Sequence, residues 1–111
     1  MKKNWWTYIV IVIVVLLVIF LLARDLSHID KETSVCIGEN SELYIQTGCH
    51  ACEIQEEMFG DNYQYLNLID CVLEKDLCIE KQIEATPTWI INNEKYRGVQ
   101  SIETLKGLTG C

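Results

Sequence analysis

The sequence predicts an α/β domain with a mixed four-stranded sheet, in the order βαβαββα, behind a single N-terminal transmembrane helix. Three observations support this prediction. Short apolar runs typical of strands alternate with amphipathic stretches of helical period over residues 41–111. Asn92-Asn93-Glu94 separates the last two runs, and asparagine tolerates the backbone of a tight hairpin. An uncharged apolar stretch of membrane length lies near the N-terminus.

The apolar N-terminal stretch has the features of a membrane anchor. It carries no charge over residues 8–23, and from Trp5 onward it approaches the roughly 20 residues that a helix needs to cross a bilayer. Aromatic residues such as Trp5 favour the membrane interface, and Lys2 and Lys3 outside it indicate that residues 1–7 are cytoplasmic. We therefore predict a single-pass protein of the cell membrane with an extracytoplasmic C-terminal domain.

A cleaved signal peptide is the alternative, because it also combines a basic start with an apolar centre. Its apolar centre would be shorter and would end at a small-x-small cleavage site. The sequence Leu21-Leu22-Ala23-Arg24-Asp25 offers no good site of this kind. Both interpretations export the rest of the chain.

The exported part is acidic and rich in cysteine. Residues 32–111 carry five basic and fourteen acidic side chains, a net charge of −9, so nucleic acid and anionic lipid are poor partners. Six cysteines in so short a chain fit an oxidising compartment. Residues 24–40 are polar and show neither helical nor strand period, so we predict a linker there and the folded domain over residues 41–111.

The elements of the domain are predicted from local pattern. Apolar and β-branched runs predict strands at residues 43–45, 65–69, 88–91 and 95–97. The first helix follows Cys49 and ends at Gly60. Its inner face is predicted to hold Ala51, Ile54, Gln55 and Met58. The second helix, over residues 73–84, is predicted to turn Leu73, Leu77 and Ile83 inward. Ser101 is predicted to cap the last helix and Gly110 to close it.

The pair Cys49 and Cys52 carries the chemistry. Two sulfurs separated by two residues across the first turn of a helix can close and reopen a low-strain ring. Cys49 would lie at the helix N-terminus, where unpaired N–H groups and the helix dipole favour a thiolate. Cys49 is therefore predicted as the reactive sulfur, and Cys52, one turn deeper, as the resolving one.

Pro87 is the only proline of the chain and stands directly before a predicted strand. A proline there removes a donor from the ladder of strand hydrogen bonds, so its presence needs a reason. If the bond between Thr86 and Pro87 is cis, the turn can lie against the cysteine pair and expose the backbone of Thr86 to an extended peptide. The alternative is a trans proline that only starts a strand.

A zinc site or a plain structural clip is the alternative use of the cysteine pair. Zinc ligand sets often begin with this spacing, and Cys71, Cys78 and His50 could supply further ligands. However, Cys71 and Cys78 are separated by more residues than the two to four or so that zinc knuckles generally leave. The long spacing between Cys71 and Cys78, together with Pro87, favours redox chemistry over zinc binding, and we predict no metal site.

These features together resemble the thioredoxin superfamily: a strand, then Cys49-His50-Ala51-Cys52 opening a helix, then Thr86-Pro87 before a hairpin. More narrowly, four segments resemble the thioredoxin-like domain that accompanies vitamin K epoxide reductase homologues. The four segments are Glu57-Met58-Phe59-Gly60, Ile69-Asp70-Cys71, residues 85–92 and residues 96–101. The resemblance covers roughly residues 42–111 and implies a thioredoxin-like fold.

The resemblance also implies an activity, that of a protein thiol–disulfide oxidoreductase. Cys49 and Cys52 would be catalytic, and Thr86 and Pro87 would bind the substrate. The pair would donate its disulfide to exported proteins with reduced cysteines, and a membrane oxidase resembling vitamin K epoxide reductase would restore it, with no bound cofactor. A membrane-tethered disulfide reductase or isomerase is one alternative. A non-catalytic zinc-binding or structural interaction module is another.

The active-site motif departs from the family pattern at two positions. Gly48 precedes Cys49 where an aromatic residue is usual, and His50 follows Cys49, whereas the usual histidine lies beside the second cysteine. A protonated His50 would stabilise a nearby thiolate, and Glu53 would oppose it. Both residues are therefore predicted modulators of the redox pair.

Four cysteines remain, and four allow three pairings that the sequence cannot settle. The resemblance suggests a structural disulfide between Cys71 and Cys78, which leaves Cys36 for Cys111. The alternative is that one of these pairs relays electrons to or from the redox pair.

Overall fold

The structure, a computed structural model, describes residues 4–26 and 29–111, without the side chains of residues 24–26. Helix α1, Trp5–Leu26, contains the predicted span of residues 8–23. Within the described ranges, its stretch Trp5–Ala23 is the one helix long and apolar enough to cross a membrane. The predicted N-terminal apolar helix is confirmed. The lysines predicted to flank it, Lys2 and Lys3, lie outside the described residues.

The domain is built on a mixed four-stranded sheet. Its strands are β1 Glu42–Ile45, β2 Leu68–Asp70, β3 Thr88–Ile91 and β4 Glu94–Arg97. They lie in the order β2-β1-β3-β4. Strand β1 runs parallel to β2 and antiparallel to β3, and β3 forms a hairpin with β4. At the hairpin, Asn92 and Asn93 have φ of 52° and 66°, the left-handed region that asparagine tolerates. The α/β class and the mixed sheet are confirmed.

Helices cover both faces of this sheet. They are α2 Lys31–Glu39, α3 His50–Phe59, α4 Lys75–Glu80 and α5 Ile102–Thr109, with a 3-10 helix at Gly60–Tyr65. The predicted caps of α5 are confirmed. The Ser101 hydroxyl accepts a hydrogen bond from the Thr104 N–H at 3.1 Å, and Gly110 ends the helix at φ 78°.

Helix α2 lies within residues 24–40, which were predicted to form a linker without regular structure, and this part of the prediction is wrong. The helix packs against the 3-10 helix and α5. Its buried residues are Ser34, Ile37 and Gly38, of which Ile37 alone has a large apolar side chain. Periodicity of apolar residues cannot reveal such a face. Gly38 is required by the packing, since a Cβ there would collide with the backbone of Tyr65.

Two of the predicted inward faces are also wrong in part. On α3, Ile54 and Met58 are exposed, whereas Gln55 is buried as predicted. The buried face also includes Phe59, whose ring lies 6.1 Å from that of Trp89. The side of α3 that carries Gln55 and Phe59 therefore faces the core. Leu73, predicted to point inward from a helix, is 82% exposed in the turn before α4. The 3-10 helix ends at Tyr65, the first residue of the second predicted strand, and β2 begins only at Leu68.

Successive residues of β1 enter different cores. Leu43 belongs to the larger cluster, and Tyr44 to the smaller one on the opposite face. The larger cluster consists of Ile37, Leu43, Phe59, Leu66, Trp89, Ile91 and Leu105. The smaller one consists of Tyr44, Ile69 and Cys78. Since helices cover both faces, the free carboxyl ends of β1 and β2 are left for a site, as in open α/β sheets.

Candidate active site

Cys49 lies at the N-terminus of α3, just beyond the end of β1. Gly48 makes the turn at φ 86°, in the left-handed region that favours glycine. Cys49 is the N-cap of the helix, and its sulfur accepts a hydrogen bond from the Cys52 N–H at 3.1 Å. The Glu53 N–H donates to the Cys49 carbonyl at 3.2 Å. N–H groups and the helix dipole at this position stabilise negative charge on Cys49.

Cys49 and Cys52 form a disulfide with a Cα–Cα distance of 5.2 Å. The two sulfurs differ in access, because Cys49 is half-buried whereas Cys52 is only 6% exposed. A thiolate from solvent can therefore reach Cys49 more easily than Cys52. If Cys49 is attacked, Cys52 is the leaving sulfur.

Thr86 and Pro87 lie directly against this disulfide. Their peptide bond is cis, and Pro87 is fully buried. The Thr86 carbonyl oxygen lies 3.5 Å from the Cys49 sulfur. The Gly98 N–H donates to the Pro87 carbonyl at 2.8 Å, which holds the turn from the side of β4. The structure thus brings the predicted substrate-binding residues and the predicted redox pair together.

The two predicted modulators lie on the outer side of α3. His50 Nδ1 is 3.7 Å from Glu53 Oε2, and the side chains are 88% and 67% exposed. The contact is an ion pair only when His50 is protonated, and pairs as exposed as this one contribute little to stability. Because both side chains are largely exposed, solvent screens their electrostatic effect on the sulfurs.

An acidic cleft of about 320 Å³ beside the disulfide was not predicted. Its wall includes Asp70, whose carboxylate accepts hydrogen bonds from the Thr47 hydroxyl at 2.7 Å and from the Val72 N–H at 2.9 Å. These bonds hold the Asp70 pKa below its ordinary value. Burial raises the pKa of Tyr63 in the same wall to about 12, and the charges of Glu56 and Asp70 add to the effect.

A sequence signal for part of this cleft did exist. Asp70 ends β2, which runs parallel to β1, the strand that leads to Cys49, and a helix between two strands, as in the predicted order, implies such a parallel pair. Because the carboxyl ends of parallel strands meet at one edge of a sheet, Asp70 and the redox pair belong to the same region. Tyr63 gave no such signal, because it lies in the 3-10 helix Gly60–Tyr65, which was not predicted.

All six cysteines are paired. Cys71 and Cys78 join the end of β2 to α4, with a Cα–Cα distance of 5.7 Å. Cys36 and Cys111 join α2 to the last residue, at 6.0 Å. Among residues 4–26 and 29–111, no three His, Cys, Asp or Glu side chains are grouped so that they could hold a metal ion.

The fold and the site define a small α/β domain with a disulfide at a helix N-terminus, packed against a cis-proline turn. No protein-family model matches the chain.

Proposed function

We propose that the chain is a membrane-anchored, extracytoplasmic thiol–disulfide oxidoreductase of the thioredoxin type, which donates its Cys49–Cys52 disulfide to reduced exported proteins. The observation that carries the proposal is the 3.5 Å approach of the Thr86 carbonyl to the Cys49 sulfur, beside the cis bond to Pro87. The strand order β2-β1-β3-β4, with a helix between the parallel strands and a closing hairpin, supports the thioredoxin-like interpretation.

The first step of the proposed reaction is attack by a client thiolate on the Cys49 sulfur. A bond forms between the client sulfur and Cys49, and the bond between Cys49 and Cys52 breaks. Its electron pair leaves with Cys52, which becomes a thiolate and takes up a proton from solvent. The product is a mixed disulfide through Cys49.

In the second step, another thiolate of the client attacks the client sulfur of the mixed disulfide. A disulfide forms within the client, and Cys49 leaves as a thiolate, stabilised by the N-terminus of α3. The client has lost two electrons, which the protein holds as two reduced cysteines, and the protons of the two client thiols have gone to solvent, from which Cys52 has taken one. Stabilisation of the Cys49 thiolate at the start of α3 favours this direction, because it stabilises the reduced form.

The turn at Thr86 is the proposed binding site for the client backbone. An extended peptide that pairs with the Thr86 backbone would place its cysteine next to Cys49, since the two groups are already in contact. Such pairing uses main-chain groups, so it tolerates many client sequences.

The apolar helix α1 supports a location at the membrane, next to the enzyme that would reoxidise the domain. We assign this step to a quinone-linked membrane oxidase resembling vitamin K epoxide reductase, on the resemblance of residues 42–111. The two electrons held by Cys49 and Cys52 would pass to a disulfide of that oxidase and from there to the quinone.

The test is the trapping of mixed disulfides in cells. In a Cys52→Ser variant the Cys49 thiolate can attack a disulfide of an oxidised client, which is the reverse of the second step, and a client cysteine leaves as a thiolate. Because the resolving thiol is missing, these adducts with exported proteins should accumulate through Cys49 and disappear on reduction before electrophoresis. A Cys49→Ser/Cys52→Ser variant is the matched control and should give none. If Cys52→Ser shows no adducts while clients are expressed, the proposed activity is wrong.

A further inference from the structure

Gln55 is a fully buried polar side chain on the helix that carries both redox sulfurs. It follows Cys52 by three residues, so it lies on the same face of α3, one turn deeper. A buried amide destabilises the fold unless its polar atoms find partners. The partners of Gln55 therefore show what this side chain does.

Every hydrogen-bonding position of the Gln55 amide is used. Its Oε1 accepts from the Trp89 Nε1–H at 3.0 Å and from the Gln100 backbone N–H at 2.8 Å. Its Nε2 donates to the Gln100 carbonyl at 3.0 Å and approaches the Met58 sulfur at 3.5 Å. Since both groups facing Oε1 are donors only, the orientation of the amide is determined.

The two main partners of Gln55 lie on either side of the proline turn. Trp89 is in β3, two residues after Pro87. Gln100 follows Gly98, whose N–H donates to the Pro87 carbonyl at 2.8 Å. One side chain on α3 therefore bonds to the strand that leaves the turn and to the segment that holds its carbonyl.

We propose that Gln55 is a positioning residue that sets the approach of the Cys49 sulfur to the Thr86 carbonyl, and this inference depends on the proposed function. An apolar side chain could fill the same volume, but apolar contact has no direction. Hydrogen bonds on both sides of one amide fix the rotation and height of α3 relative to the proline turn. Displacements of about 1 Å are sufficient to slow reactions strongly when two groups must be aligned.

The test compares two reductants of the oxidised full-length protein. Dithiothreitol needs only access to Cys49, because it has no backbone to pair with Thr86. A short unstructured peptide with two cysteines must dock on Thr86 as well. In Gln55→Leu, the ratio of the peptide rate to the dithiothreitol rate should fall on the order of tenfold, chiefly through a higher KM for the peptide.

The matched control is Ile37→Ala, which truncates a fully buried side chain of α2 in the same core as Trp89 but removes none of the hydrogen bonds of Gln55. It should lower the unfolding midpoint without changing the ratio of the two rates. Trp89→Phe keeps an aromatic ring in the core but removes one donor to Gln55, so it should lower the ratio less than Gln55→Leu. If Gln55→Leu does not fold, the ratio measured with Trp89→Phe tests whether the hydrogen bonds of Gln55 position the Cys49 sulfur.

The outcomes separate the two proposals. If the wild-type protein oxidises the peptide and neither Gln55→Leu nor Trp89→Phe changes the ratio, Gln55 is only a structural residue and the inference is overturned. The same holds if Ile37→Ala changes the ratio equally. If dithiothreitol reduces the wild-type protein but the peptide does not, the donation of disulfides to clients is wrong, and the inference falls with it.

Discussion

Removal of the disulfide between Cys36 and Cys111 should strongly destabilise the domain. This bond closes a loop with a sequence separation of 75 residues. In the chain-entropy model, a loop of this length limits the unfolded chain enough to stabilise the fold by about 4.5 kcal/mol. Small domains typically have only about 5–15 kcal/mol in total, so the variant should lose from about a third to nearly all of its stability.

The assay is urea unfolding of the full chain in detergent micelles, comparing Cys36→Ala/Cys111→Ala with the parent. The chain has three tryptophans, and Trp5→Phe/Trp6→Phe leaves Trp89 as the fluorescent reporter. Trp89 is fully buried in the larger core, so its emission reports unfolding of the domain and not of α1.

The matched control is Cys71→Ala/Cys78→Ala, which opens a loop with a sequence separation of 7 residues. Loop closure there should stabilise the fold by about 2.4 kcal/mol. The long-loop variant should therefore have the lower free energy of unfolding by about 2 kcal/mol. If the long-loop variant unfolds at the same urea concentration as the parent, the entropic reasoning is refuted.

Three further predictions concern local contacts. Gly38→Ala should lower the free energy of unfolding by about 1–3 kcal/mol, because the added Cβ would collide with the Tyr65 backbone. The same urea assay measures this loss. An unchanged midpoint would contradict the close packing of α2. Ser101→Ala should cost about 1 kcal/mol in that assay, because α5 loses its N-cap, whereas Ser101→Asn should retain most of the stability. The lowered pKa of Asp70 stabilises the fold above the ordinary pKa of about 4, and this contribution is lost as pH falls through the lower folded value. Thr47→Val removes the hydrogen bond that is the largest cause of the lowered Asp70 pKa. The urea midpoint of this variant should lie below that of the wild type at pH 7, and the two midpoints should converge in acid. A difference between the midpoints that does not depend on pH would show that the hydrogen bond to Asp70 does not cause the loss of stability.

Where structure follows from neighbouring residues, the sequence predicted it well. The N-cap at Ser101, the left-handed Gly110 and the asparagine hairpin all depend on short-range hydrogen bonds and backbone preferences. The start of α3 at the redox pair belongs to the same group. Each of these features is determined within about one turn of chain, so a single sequence contains the necessary information.

The misses concern surfaces that other segments create. Helix α2 buries mostly small or polar residues, so it has little apolar period, yet the 3-10 helix gives it a place to pack. The burial of Gln55 was predicted correctly, but its bonds to Trp89 and Gln100 were not predicted, because they require three elements to meet. The outward position of Leu73 likewise depends on the turn closed by Cys71 and Cys78.

The sequence by itself therefore determined the apolar helix, the α/β class and the two cysteines at a helix N-terminus, because charge, hydrophobic period and capping act along the chain. Only the tertiary structure decided that the Thr86 carbonyl lies against Cys49 and that an acidic cleft opens beside it. The physical reason is that these groups are far apart in sequence, and only packing of α3 and β3 on a common core brings them together.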